Sequence, residues 1–133
     1  MPSKKSIYKK EYEPVHNVDE SIWFSNDTPI METDFTFVFS DRYPCVEGHT
    51  LFIRKENNAH FVGRSYGLAY DYGNEQIKLK KIAGFNIGMN IGVCAGQTIM
   101  WPHIHFIPRH EKDSKEIGGI RHAHPGADHS KYY

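Results

Sequence analysis

Hydrophobic and polar positions alternate with a period of two in several stretches of this chain. Phe35-Thr36-Phe37-Val38-Phe39 is one. After Gly48, the β-prone run His49-Thr50-Leu51-Phe52-Ile53-Arg54 is a second. Phe85-Asn86-Ile87-Gly88-Met89-Asn90-Ile91 and residues 103–107, His-Ile-His-Phe-Ile, are the third and fourth. This periodicity predicts strands whose i and i+2 side chains share a face. The turn-rich Ser40-Asp41-Arg42-Tyr43-Pro44 separates the first two and implies an antiparallel pair. Between the second and third, Phe61, Leu68, Tyr72, Leu79 and Ile82 recur at helical spacing. Asn57 and Asn58 are good N-caps and Gly84 a C-cap, so the spacing predicts a helix from about 59 to 82. Gly63, Gly67 and Gly73 weaken it by about 1 kcal/mol each relative to alanine. Packing rather than propensity must hold such a helix, with Tyr66, Tyr70 and Tyr72 on its core side and surface.

The fourth strand carries the candidate chemistry. His103 and His105 stand on one face, about 6.5–7 Å apart along the strand. Ile104 and Phe106 turn the other way, into a core. Such a pair serves either as a solvated face or as a reactive one, and spacing alone leaves both open. His49, at a strand start after Gly48 where a side chain can face a cleft, reads from local context alone as a turn histidine in solvent. Ile22-Trp23-Phe24 reads first as core or lid packing, and its aromatic faces also suit a nucleobase slot.

Composition narrows the partners. The 133 residues suit one domain with one core, 39% hydrophobic and 14% aromatic. Sixteen Lys and Arg balance sixteen Asp and Glu, which argues against broad electrostatic binding to nucleic acid or membrane. No apolar run approaches the ~20 residues of a membrane span. No apolar segment follows Met1-Pro-Ser-Lys-Lys-Ser, so no secretory leader is expected. Cys45 and Cys94 lack metal-type spacing and fit a reduced, cytoplasmic protein. The charged residues 1–20 read as an N-terminal arm, and 21–133 as a single domain with a His- and Gly-rich tail from about 110.

The string from Gly96 to Arg109, Gly-Gln-Thr-Ile-Met-Trp-Pro-His-Ile-His-Phe-Ile-Pro-Arg, resembles the signature of the histidine triad (HIT) family. That signature reads Gly-Gln-(Thr/Ser)-hydrophobe-x-His-x-His-x-His, often followed by Pro-Arg. The triad positions fall on Trp101, His103 and His105. The first histidine is thus a tryptophan, placed on the face of His103 and His105, where it either reshapes the pocket or marks that histidine as dispensable. Residues 37–53 resemble the family's first block, strand-Asp-x-x-Pro followed by Gly-His-x-Leu, although Ile53-Arg54-Lys55-Glu56-Asn57 departs from its usual continuation. Gly118-Gly119-Ile120-Arg121-His122 resembles a C-terminal segment common in bacterial members.

The resemblance implies an α+β fold, an antiparallel sheet of about five strands with one main helix packed across it, and a homodimer. It implies nucleotide hydrolysis at an α-phosphate, with a nucleotidyl-histidine intermediate, on a dinucleoside polyphosphate or nucleoside phosphoramidate. His103 is then the nucleophile, and His105, His49, Gln97 and Thr98 complete the catalytic set. Asp41 holds the ribose, Phe39 and Leu51 the base, Asn90 the nucleotide and Arg121 the distal phosphates. No protein-bound cofactor and no metal ligand follow from it, and any magnesium would arrive with the polyphosphate. Three alternatives stay open: a nucleotidyltransferase or phosphorylase, a nucleotide-binding module with little activity, and a metal site on His49, His103 and His105.

Overall fold

The computed structural model describes residues 14–113, 118–128 and 130. Residues 14–20 of the arm include a 3-10 turn, Val18–Glu20, capped by the Asn17 side chain, which accepts from the Glu20 N–H. Val18 is buried there, and the rest of the arm, residues 1–13, lies outside the described residues. A short helix α1 (Ile22–Asn26) follows. Then come β1 (Met31–Glu32), β2 (Thr36–Ser40), β3 (Thr50–Arg54), the long helix α2 (Ala59–Lys78), β4 (Gly84–Met89) and β5 (His103–Arg109). A 3-10 segment, Gly119–Ala123, follows on the β4 side, with the Ile120 methyl against Gly88.

The strands form one antiparallel sheet in the order β1-β2-β3-β5-β4. This is the α+β architecture expected, with β1 a fifth, two-residue strand. The alternation sorts side chains onto two packed faces. Val38, Phe52, Ile104 and Phe106 meet Ala69 of α2 on one face. Phe39, Leu51, Ile53 and Trp101 meet Val18 and Trp23 of the N-terminal segment on the other. His103 and His105 belong to that second face, since Ile104 and Phe106 between and beyond them are fully buried under α2.

Helix α2 starts where expected, with the Asn58 side chain accepting from the Phe61 N–H. It stops at Lys78 rather than 82 and is capped by Leu79, not Gly84. Lys80 adopts a positive φ of 59°, and the Lys81 N–H reaches the Gln76 carbonyl. Sheet pairing decides the end: Ile82 is buried against the core, and the Ala83 N–H bonds the Arg109 carbonyl to open β4. Gly73 permits the close seat of α2 on β4, because a Cβ there would lie 2.5 Å from the Phe85 ring. β5 runs two residues past its expected end. Pro108 is tolerated because β3 stops pairing at Phe106, leaving β4 as the one strand beside it. Among the described residues no helix is long and apolar enough to cross a membrane.

Candidate active site

His103 opens β5 and is 7% exposed. Its ring packs between Trp23 (centroids 4.8 Å apart) and His105 (5.0 Å). Nδ1 lies 3.0 Å from the Trp101 carbonyl. A carbonyl only accepts, so Nδ1 carries the proton and Nε2 keeps a bare lone pair. Burial pushes the His103 pKa below the ordinary histidine value, against the opposing pull of that carbonyl and of Asp41. The ring is therefore neutral and nucleophilic around pH 7.

Behind it stands a chain of three groups. Gly48 turns with a φ of 91°, and a Cβ there would come 3.2 Å from Pro108, so glycine delivers His49 to the sheet. The Cys45 N–H donates to His49 Nδ1 at 3.2 Å. Neutral His49 thus carries its proton on Nε2, which faces His105 Nδ1 at 2.9 Å and Asp41 Oδ2 at 3.2 Å. His105 Nδ1 accepts, which puts the His105 proton on Nε2, an atom without a protein partner among the described residues. Asp41 is held by its other oxygen, which accepts the Tyr43 N–H at 2.7 Å. Burial lowers the His105 pKa to about 4, helped by His103 and His49 and opposed by Asp41. Burial also lowers that of His49 against the pull of Asp41. The contacts to Asp41 are accordingly hydrogen-bond and dipolar contacts near neutral pH, not ion pairs.

These groups line a cleft of about 340 Å³. Its polar side is Asp41, His49, Thr98, His103 and His105; its apolar side is Ile22, Trp23, Leu51 and Ile99; Arg42 and Tyr43 stand with them. Leu51 and Thr98, two of the site residues the resemblance implies, line this cleft. Phe39, 2% exposed in the packed cluster beside Leu51, does not line the cleft. Gln97 braces the turn before β5 instead of lining the cleft: Oε1 accepts the Gly92 N–H and Nε2 donates to the Ile99 carbonyl. Asn90 and Arg121 lie together in a neighbouring cleft with Gly96. A further cleft of about 370 Å³ reaches Asn90 and Ile120 from the other side of His49 and His105.

Trp101 does not narrow the cleft. It is 3% exposed, packs with Val18 and Trp23, and its indole N–H donates to the Arg54 carbonyl at 2.9 Å. What His103 takes from position 101 is a main-chain carbonyl, which tryptophan supplies as well as histidine. Arg42, Tyr43 and Ile99 escaped the sequence reading, because a turn carries no periodicity to show which side chains look inward. The apolar cluster at Ile22-Trp23 was the legible signal on that side. The metal-donor atoms that converge among the described residues belong to Asp41, His49 and His105, not to the three histidines.

An antiparallel five-stranded sheet with one helix on one face and paired imidazoles over a cleft on the other defines a histidine-triad fold. Residues 25–112 match the family described as HIT domain, and the chain belongs to that family. It is 30% identical over 93 residues to adenosine 5'-monophosphoramidase HNT1 of Saccharomyces cerevisiae, covering 68% of this chain and 59% of that protein. It is 32% identical over 91 residues to adenylylsulfatase HINT3 of Arabidopsis thaliana, covering 63% and 46%. Among solved structures, a zinc-bound histidine triad family protein from Mycobacterium smegmatis superposes with a TM-score of 0.61 at 27% identity, covering 68% of this chain and 73% of that one. The chain spans between 46% and 67% of the length of the curated relatives it matches.

Proposed function

We propose that this chain is a nucleotide hydrolase that cleaves at the α-phosphate of a nucleoside phosphoramidate or dinucleoside polyphosphate. One observation carries the reading: the His103 ring faces the cleft with Nδ1 tied to the Trp101 carbonyl and Nε2 bare. A neutral imidazole approaches an anionic phosphoryl group without charge repulsion. Nε2 attacks the α-phosphorus in line, the bond to the leaving nitrogen or oxygen breaks, and a nucleotidyl-histidine forms. The His105 Nε2–H donates to a non-bridging oxygen, where charge builds in the transition state. His49 holds His105 in that tautomer by donating its Nε2–H to the His105 Nδ1. Thr98 donates from the same wall. Water then attacks the phosphoramidate and returns His103 with a nucleoside monophosphate.

The base lies between Ile22, Trp23, Leu51 and Ile99, and the ribose hydroxyls meet the lone pairs that Tyr43 and His49 leave on Asp41. Asn90 and Arg121 face the departing group from the adjoining clefts. The name of the yeast relative, an adenosine monophosphoramidase, supports the phosphoramidate substrate, and that of the Arabidopsis relative, an adenylylsulfatase, supports cleavage beside an adenylyl group. A homodimer and a cytoplasmic setting belong to the same reading; β4 is an edge strand, with the exposed apolar Ile91 just past it.

The test is turnover of adenosine phosphoramidate and diadenosine tetraphosphate by wild type and His103→Ala. The variant should lose on the order of 10³-fold or more in kcat with its fold intact. Quenched wild type should carry an added nucleotide on the peptide containing His103. Undiminished turnover in His103→Ala refutes the assignment. A nucleoside diphosphate formed only with added inorganic phosphate would make the chain a phosphorylase.

A further inference from the structure

Asp41, His49 and His105 bring three different donor atoms to one point of the cleft wall. His49 Nε2 to His105 Nδ1 is 2.9 Å, His49 Nε2 to Asp41 Oδ2 is 3.2 Å and His105 Nδ1 to Asp41 Oδ2 is 3.8 Å. In a tetrahedral zinc site with bonds of about 2.0–2.1 Å, neighbouring ligand atoms lie about 3.3–3.4 Å apart. The observed separations bracket that edge. All three residues line the cleft of about 340 Å³, so a cation has a route in and room for a water or an anionic ligand.

The geometry points to a divalent-cation site of the zinc type formed by Asp41 Oδ2, His49 Nε2 and His105 Nδ1. Two imidazole nitrogens and one carboxylate select zinc, cobalt or nickel over magnesium and calcium, which prefer oxygen shells. Coordination asks little of the chain. His105 already presents an unprotonated Nδ1. His49 moves its proton from Nε2 to Nδ1 and gives up the bond from the Cys45 N–H, a loss of roughly tenfold in affinity. The second shell is partly built, since the Tyr43 N–H already holds the other Asp41 oxygen. His103 is not a ligand; its Nδ1 stays on the Trp101 carbonyl. A bound cation takes the Nδ1 of His105 and the Nε2 of His49, fills the wall on which a phosphoryl group would rest, and so excludes that group or anchors it by charge. The site does not depend on the proposed reaction.

Chelator-treated protein titrated with cobalt(II) chloride should develop the visible absorption of a tetrahedral complex, saturating at one equivalent and displaced by zinc chloride. Asp41→Asn and His105→Gln, each checked for folding by circular dichroism, should weaken binding by on the order of 10²-fold. His103→Ala should bind within about threefold of wild type, a change of under 1 kcal/mol, so a failure of the hydrolase reading and a failure of the metal site give different results. A double variant His122→Gln, His124→Gln controls for the half-buried His122 and the exposed His124 of the C-terminal segment. No stoichiometric binding overturns the proposal. So does binding that ignores Asp41 and His105, that vanishes in His103→Ala, or that follows only His122 and His124.

Discussion

Acid should destabilise this protein through His105. In the unfolded chain its pKa is about 6.5; in the folded chain burial and the neighbouring His103 and His49 lower it to about 4. Between those values the unfolded chain binds the extra proton. Stability is therefore full above about pH 6.5 and falls as the pH drops toward 4. The whole interval corresponds to about 3 kcal/mol, of which about 2.5 kcal/mol is lost by pH 4.5. Other groups titrate in the same range, so the measurement is a difference. Urea unfolding of wild type and His105→Asn is followed from about pH 7 to 4.5, since the asparagine oxygen can still accept from His49. With a slope of about 1–3 kcal/mol per molar urea, the wild-type midpoint should fall by roughly 1 M more than that of the variant. Parallel loss in the two proteins would refute the account of His105. The lowered pKa of His103 makes a matching statement about turnover, whose acid limb should lie below the ordinary histidine value.

Two further variants separate packing from chemistry. Gly73→Ala should destabilise by about 1–2 kcal/mol, because overpacking against Phe85 outweighs the gain in helix propensity. That ring cannot swing freely, stacked as it is on Phe106 with centroids 5.3 Å apart. Gly67→Ala, where a Cβ meets nothing within 4 Å, should stabilise by roughly 0.5–1 kcal/mol; thermal unfolding in which the two move together would contradict the close seat of α2. Trp101→Phe removes the donor to the Arg54 carbonyl and should cost about 2 kcal/mol. Its kcat on a phosphoramidate should stay near wild type, since the main-chain carbonyl remains; a large fall in kcat without loss of stability would give the indole a direct part in catalysis.

Particular residues show how far the chain alone could be read. Alternation placed His103 and His105 on one face and Ile104 and Phe106 on the other, and Asn58 marked the start of α2. Gly48 before His49 marked a turn that the sheet closes against Pro108. The end of α2 was not legible, because pairing of Ala83 with Arg109 overrides local propensity. The depth of Phe39, the turn brace made by Gln97 and the separate cleft of Asn90 and Arg121 were equally hidden.

By itself the sequence determined the period of each element, and hence which side chains share a face, since backbone geometry fixes that locally. Only the tertiary structure decided which imidazole nitrogen is bare. That choice rests on the Trp101 carbonyl and the Cys45 N–H, main-chain groups that every residue type carries and no sequence pattern distinguishes. The same long-range packing joined Asp41 to His49 and His105, and turned Trp101 from a suspected pocket residue into part of the core.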